Sequence, residues 1–256
     1  MRRPPHALAT LALLVAAAPL AACGHDDASG SGGDATTITV LAAASLTGTF
    51  TELAHRFEAD HPGTKVRLAF DSSATLAQQA VDGAPADVLA TADTATMDGA
   101  RSALAARPRD FATNTMVLVR PKDDPAHLSR FADLARGHAD YVACVETAPC
   151  GRVAAALLAD NAVDAKPASL EVDVKAVLAK VTSGEADAGI VYRTDAVAAG
   201  DQVRPLAIPH AGEELTTYPV APLEQSGHPA LAAAFVHLVI SGTGRRVLAG
   251  AGFGRP

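Results

Sequence analysis

The run Thr37-Ile38-Thr39-Val40-Leu41-Ala42-Ala43-Ala44-Ser45-Leu46 carries two periodicities, one after the other. Thr37 to Leu41 alternates β-branched and apolar residues, the pattern of a strand. From Leu46 the period lengthens. Leu46, Phe50, Leu53, Ala54 and Phe57 share one helical face. Ser45 therefore stands where a strand gives way to a helix N-terminus. Such a terminus presents unpaired N–H groups and the positive end of the helix dipole, and it attracts anions. Taken alone, Ser45 reads as an ordinary N-cap.

The same pattern repeats along the chain. Lys65 to Phe70 alternates as a second strand, Asp71-Ser72-Ser73-Ala74-Thr75-Leu76 follows, and a helix runs to about Asp82. Gly83-Ala84-Pro85 stops it. Ala86 to Thr91 reads as a third strand and Met97 to Ala106 as a third helix. Beyond these, strands are expected at 114–120, 139–144, 187–192 and 203–208, with an extended segment at 217–222. Helices are expected at 128–135, 152–160, about 175–182, 228–240 and 244–249. Strands alternating with helices argue for βαβ units and a mostly parallel sheet. No internal repeat aligns, but both halves show strand, small-residue junction and helix, as two facing α/β lobes would.

Composition narrows the function classes. Of 256 residues, 49% are hydrophobic and Trp is absent, a globular composition. The net charge is −7 and no basic run occurs, which argues against nucleic-acid binding. Arg2 and Arg3 precede an apolar run from Ala7 to Leu20, too short to span a membrane comfortably. It ends in Leu20-Ala21-Ala22-Cys23, which resembles the bacterial lipobox. Residues 1–22 are thus expected to be a lipoprotein signal peptide, with Cys23 lipidated at the outer face of the cell membrane or in the periplasm. Residues 23–36, rich in Gly and Ser, read as a flexible tether.

Enzyme chemistry finds little support. There is no G-x-S-x-G elbow, and none of the nine His forms a metal-ligand spacing. No cofactor and no resident metal are expected. The chemistry-bearing positions are junctions: helix starts near Ser45, Ser73, Cys150 and Val174, and Tyr192 at a strand end.

VLAAASL at 40–46, SSATLA at 72–77, GAPADV at 83–88, GIVY at 189–192 with TDA at 194–196, TYPVA at 217–221 and the closing GTGRRVLAGAGF together resemble the periplasmic molybdate-binding proteins of ABC importers. The resemblance covers about Thr37 to Phe253. It implies a two-lobed periplasmic-binding-protein fold of type II, with lobes at 38–115 plus 218–256 and at 116–217. In that family a tetrahedral oxyanion lies between the lobes. The matched motifs imply the hydroxyls of Ser45, Ser73 and Tyr192 and the backbone N–H groups of Cys150 and Val174 as its donors. The shortened serine run leaves open whether Ser72 or Ser73 makes the contact. The family commonly has Ala where this chain has Cys150, a change that a main-chain contact tolerates.

The function implied is capture of molybdate, with tungstate as a further ligand, by a monomer that serves an ABC permease and its ATPase. The alternatives are a sulfate or other oxyanion binder and an oxyanion sensor. Lys175 reads as a helix-face residue with a modest effect. With Cys23 lipidated, Cys144 and Cys150 remain in an exported protein near the implied site, and a disulfide between them is expected.

Overall fold

The computed structural model describes residues 35–256. The leader, Cys23 and nearly all of the tether lie outside the described residues. The strands are β1 Thr36–Ala43, β2 Thr64–Asp71, β3 Val88–Ala90, β4 Arg109–Asn114, β5 Met116–Pro121, β6 Tyr141–Cys144, β7 Ser169–Glu171, β8 Ala188–Tyr192, β9 Val203–Ala207 and β10 Thr216–Pro222. The helices are α1 Thr47–Asp60, α2 Ser73–Val81, α3 Thr94–Gly99, α4 Pro149–Asp160, α5 Val174–Thr182, α6 Arg193–Ala199, α7 Pro229–Ile240 and α8 Gly242–Gly250.

The strands form two five-stranded sheets, in the orders β2-β1-β3-β10-β4 and β7-β6-β8-β5-β9. In the first, β1 pairs in parallel with β2 and β3, and β10 pairs antiparallel with β3 and β4. In the second, β6 pairs in parallel with β7 and β8, and β5 pairs antiparallel with β8 and β9. The parallel half of each sheet is the βαβ pattern expected from sequence; the antiparallel half comes from strands next to the crossings between sheets. One crossing is a single residue, Thr115, between β4 and β5, so residues 109–121 form two strands where one was expected at 114–120. The other follows β9 and leads into β10.

Burial explains why these segments order. β1 is sandwiched between neighbours and its residues from Val40 to Ala43 are all buried, as a central parallel strand requires. α1 buries Phe50, Leu53, Ala54 and Phe57. Phe50 meets Phe111 and Phe235, and Phe57 meets Phe235, with ring centroids 5.4 to 6.0 Å apart. Each such ring contributes about 1.5–3 kcal/mol by leaving water. Between the sheets, Tyr192 of β8 packs against Tyr218 of β10 at 6.0 Å. One apolar core therefore runs through both halves.

Two short elements differ from expectation. The helix expected at 97–106 is α3, which starts earlier because the Asp93 carboxylate accepts the Thr96 N–H, and which ends at Gly99. The segment expected as a helix at 128–135 is a 3-10 turn, Phe131–Arg136, closed by Gly137 in the left-handed region.

Candidate functional site

Ser45, Ser73, Cys150, Val174 and Tyr192 all line one small cavity between the two sheets. About 10 Å³ of it is open to the centre of a water-sized sphere. That is the scale of one small ion and leaves no room for an organic metabolite. Ser72 lines it as well.

Each helix that ends here keeps one N–H for the cavity. In α4, Pro149 occupies the first position and has no N–H. The N–H groups of Gly151 and Arg152 both bond to Ala148 O. Cys150 is left with the free donor of that turn. In α5, the cap residue Asp173 accepts from Lys175 N at 2.7 Å and Ala176 N at 3.0 Å, which leaves the Val174 N–H uncapped. α2 begins at Ser73 behind Ser72, and no side chain caps it. Three helix dipoles thus point their positive ends at one space.

The hydroxyls are oriented by what they accept. Ser73 Oγ accepts the Ala92 N–H at 2.9 Å, so its own proton is free to donate. Ser72, which also lines the cavity, has no such bond from Ala92. Ser45 Oγ lies 3.0 Å from Tyr218 Oη, and Tyr218 Oη accepts from Asn114 Nδ2 at 3.4 Å. Asn114, Tyr218 and Ser45 thus form one chain of polar contacts that ends at the cavity. Among the described residues Tyr192 Oη is buried without a well-aligned hydrogen bond, with the hydroxyls of Thr216 and Tyr218 beside it. Burial pushes the phenols of Tyr192 and Tyr218 above the usual tyrosine range, so both stay neutral and able to donate.

Among the described residues no Lys, Arg or His lines the cavity. Its two carboxylates are occupied: Asp71 Oδ1 accepts Ser72 N at 2.6 Å, and Asp173 caps α5. Among the described residues no three His, Cys, Asp or Glu gather as a metal cage. Cys144 and Cys150 form a disulfide that ties the end of β6 to the first turn of α4. The following Gly151 is required by close approach: a Cβ there would lie 1.9 Å from Val145 O. A larger cavity, about 670 Å³, is a surface groove on Thr94, Met97, Asp98, Arg101 and Arg107, and it has no buried unpartnered polar group.

The family model for bacterial extracellular solute-binding proteins matches residues 38–254. The chain belongs to that family. It is 41% identical over 251 residues to the molybdate-binding protein ModA of Mycobacterium tuberculosis (strain ATCC 25618 / H37Rv), covering 96% of this chain and 95% of the relative. It is 35% identical over 204 residues to the molybdate-binding protein ModA of Escherichia coli (strain K12), covering 75% and 78%. The periplasmic molybdate-binding protein of Azotobacter vinelandii shares the fold, with a TM-score of 0.76, 19% identity, and 86% and 99% coverage.

In this solute-binding protein the two sheets also touch beside the cavity. Asn114 Nδ2 donates to Thr194 Oγ1 at 2.8 Å, joining β4 to α6. Arg152 of α4 reaches across to the Asp93 carboxylate and to Thr96 Oγ1 at 2.9 Å. Sequence reasoning did not single out Asn114, Asp93 or Arg152. Tyr218 stood only within the TYPVA motif. Their roles depend on partners 56 to 173 positions away, which no local pattern reports.

Proposed function

We propose that this protein captures molybdate, and tungstate with it, outside the cytoplasm and delivers it to an ABC permease and its ATPase. The observation that carries this reading is the Tyr192 hydroxyl: buried, without a well-aligned partner, on a residue that lines the cavity on which other neutral donors converge. An unsatisfied buried hydroxyl is costly, and an oxyanion oxygen would satisfy it. Ser45, Ser73 and Tyr192 supply hydroxyls, and Cys150 and Val174 supply N–H groups. Each bond to the charged ligand contributes about 1.5–3 kcal/mol. Several together, with three helix termini, hold a dianion without Lys or Arg. The identity with the mycobacterial ModA supports molybdate over other oxyanions.

The protein is read as a carrier: the two carboxylates that line the cavity, Asp71 and Asp173, already accept backbone N–H groups, and among the described residues neither makes a hydrogen bond to a serine hydroxyl there. Residues 38–115 with 218–256, and 116–217, act as two lobes that open and close on the two crossings. Cys23 carries the lipid anchor; Cys23→Ala should leave the protein out of the membrane fraction or its leader uncleaved, and normal processing with unchanged fractionation contradicts the anchor. The function is tested by calorimetric titration of the delipidated protein with molybdate, tungstate and sulfate. Saturable one-to-one heat with the first two and much weaker binding of the smaller sulfate is the expected result. Preference for sulfate contradicts it.

A further inference from the structure

We infer that Lys175 and Asp195 form a charge-balancing pair behind the oxyanion cavity, in which Lys175 is a positioning residue whose task is to cancel the Asp195 carboxylate in front of the bound dianion. This rests on the proposed function, adds to it a source of affinity in residues that do not touch the ligand, and replaces the expectation of a modest effect for Lys175, because its ammonium lies against a buried carboxylate rather than on a free helix face.

Neither residue lines the cavity, yet each is attached to a donor that does. Lys175 follows Val174 in the first turn of α5. Asp195 lies one turn beyond Tyr192, in the first turn of α6. The Asp195 side chain is wholly buried, while Lys175 keeps about a third of its side chain, 35%, in solvent. Lys175 Nζ lies 2.8 Å from Asp195 Oδ1. The Tyr192 backbone N–H also supports the carboxylate, though neither contact is well aligned. Asp195 is therefore a buried carboxylate with one cation and one backbone N–H against it.

The surroundings leave Lys175 without a substitute. From α5, Asp173 adds a further negative charge. From β8 and β10, the neutral phenols of Tyr192 and Tyr218 both feel the Asp195 charge. Arg120 of β5 is paired with Asp124, and Arg204 of β9 with Asp201. Removing one member of a buried pair strands the other charge. Here the stranded charge would be negative and would face an incoming dianion. Burial already raises the Asp195 pKa against the opposing pull of Lys175, so without the lysine the carboxyl protonates more readily still. A neutral carboxyl repels no anion. The defect should thus be largest at high pH and should fade as pH falls through that raised pKa.

The test is molybdate titration of the delipidated protein at fixed ionic strength across pH, in wild type, Lys175→Met, Lys175→Arg and Lys175→Met/Asp195→Asn. Lys175→Met should bind at least tenfold more weakly at pH 8 and recover part of that loss as the pH is lowered. Lys175→Arg, and the double variant that removes both charges, should stay within about threefold of wild type. A Lys175→Met protein that matches wild type across pH overturns the inference, as does a double variant no better than the single. If Lys175→Met does not fold, Asp195→Asn decides: affinity at or above wild type with steeper salt dependence supports the pair, and a tenfold loss refutes it. A wild-type protein that takes no oxyanion contradicts the proposed function itself, and the inference with it.

Discussion

At the scale of single residues, the three hydroxyls at the cavity differ in what each already holds. Ser73 accepts from Ala92, Ser45 pairs with Tyr218, and Tyr192 has no well-aligned partner. The consequences for stability separate accordingly. Tyr192→Phe removes a buried hydroxyl that is poorly satisfied in the unliganded protein, which should keep or gain thermal stability. The same change should weaken molybdate by about tenfold or more, since about 1.4 kcal/mol is one decade. Ser73→Ala should weaken binding similarly but also lower stability by about 1–3 kcal/mol, because the buried Ala92 N–H loses its acceptor. Thermal unfolding beside titration checks both. A Tyr192→Phe protein that is destabilised yet binds normally would show that the hydroxyl serves the fold and not the ligand.

At the scale of elements, the cavity is a set of helix starts, each arranged to leave one donor unused. α4 does so with Pro149 and a disulfide, α5 with an Asp cap. The Cys144–Cys150 bridge closes a loop of sequence separation 6, which in the loop-entropy account stabilises the fold by about 2 kcal/mol. It also pins the turn that presents the Cys150 N–H. The Cys144→Ser/Cys150→Ser protein should unfold at a lower denaturant midpoint and bind molybdate more weakly. An unchanged midpoint with unchanged affinity would make the bridge incidental. The same elements show what sequence periodicity can reach. Long β-branched runs such as Thr37 to Leu41 and the α1 face of Phe50, Leu53 and Phe57 are legible because burial imposes period on them. Arg109 to Asn114 is not: its residues alternate poorly, and it is a strand only because β10 pairs with it. α3 is shorter than expected because one carboxylate, Asp93, sets its start.

At the scale of the molecule, the resemblance pointed to residues that the folded chain gathers around one cavity, but the contacts that support them lay beyond the sequence. Tyr218 and Asn114 support Ser45 from positions 173 and 69 residues away, and only the folded chain brings them together. Arg152 spans the two halves to Asp93 and Thr96 at the rim of the cavity. Its side chain is 41% exposed, so the link should hold the halves together with no more than about 1 kcal/mol. Arg152→Ala should accordingly raise the radius of gyration of the unliganded protein in small-angle scattering, with molybdate restoring compactness. Identical profiles without ligand would remove Arg152 from the closure.

The central claim is that only neutral donors touch the dianion here. Crystals of the protein grown with molybdate test it most directly, through the anomalous signal of molybdenum. The account predicts one strong peak between Ser45, Ser73, Cys150, Val174 and Tyr192, with no Lys or Arg nitrogen within hydrogen-bond distance of the oxyanion. A peak elsewhere in the molecule, or one in the cavity with a lysine or arginine swung in against it, would contradict the account.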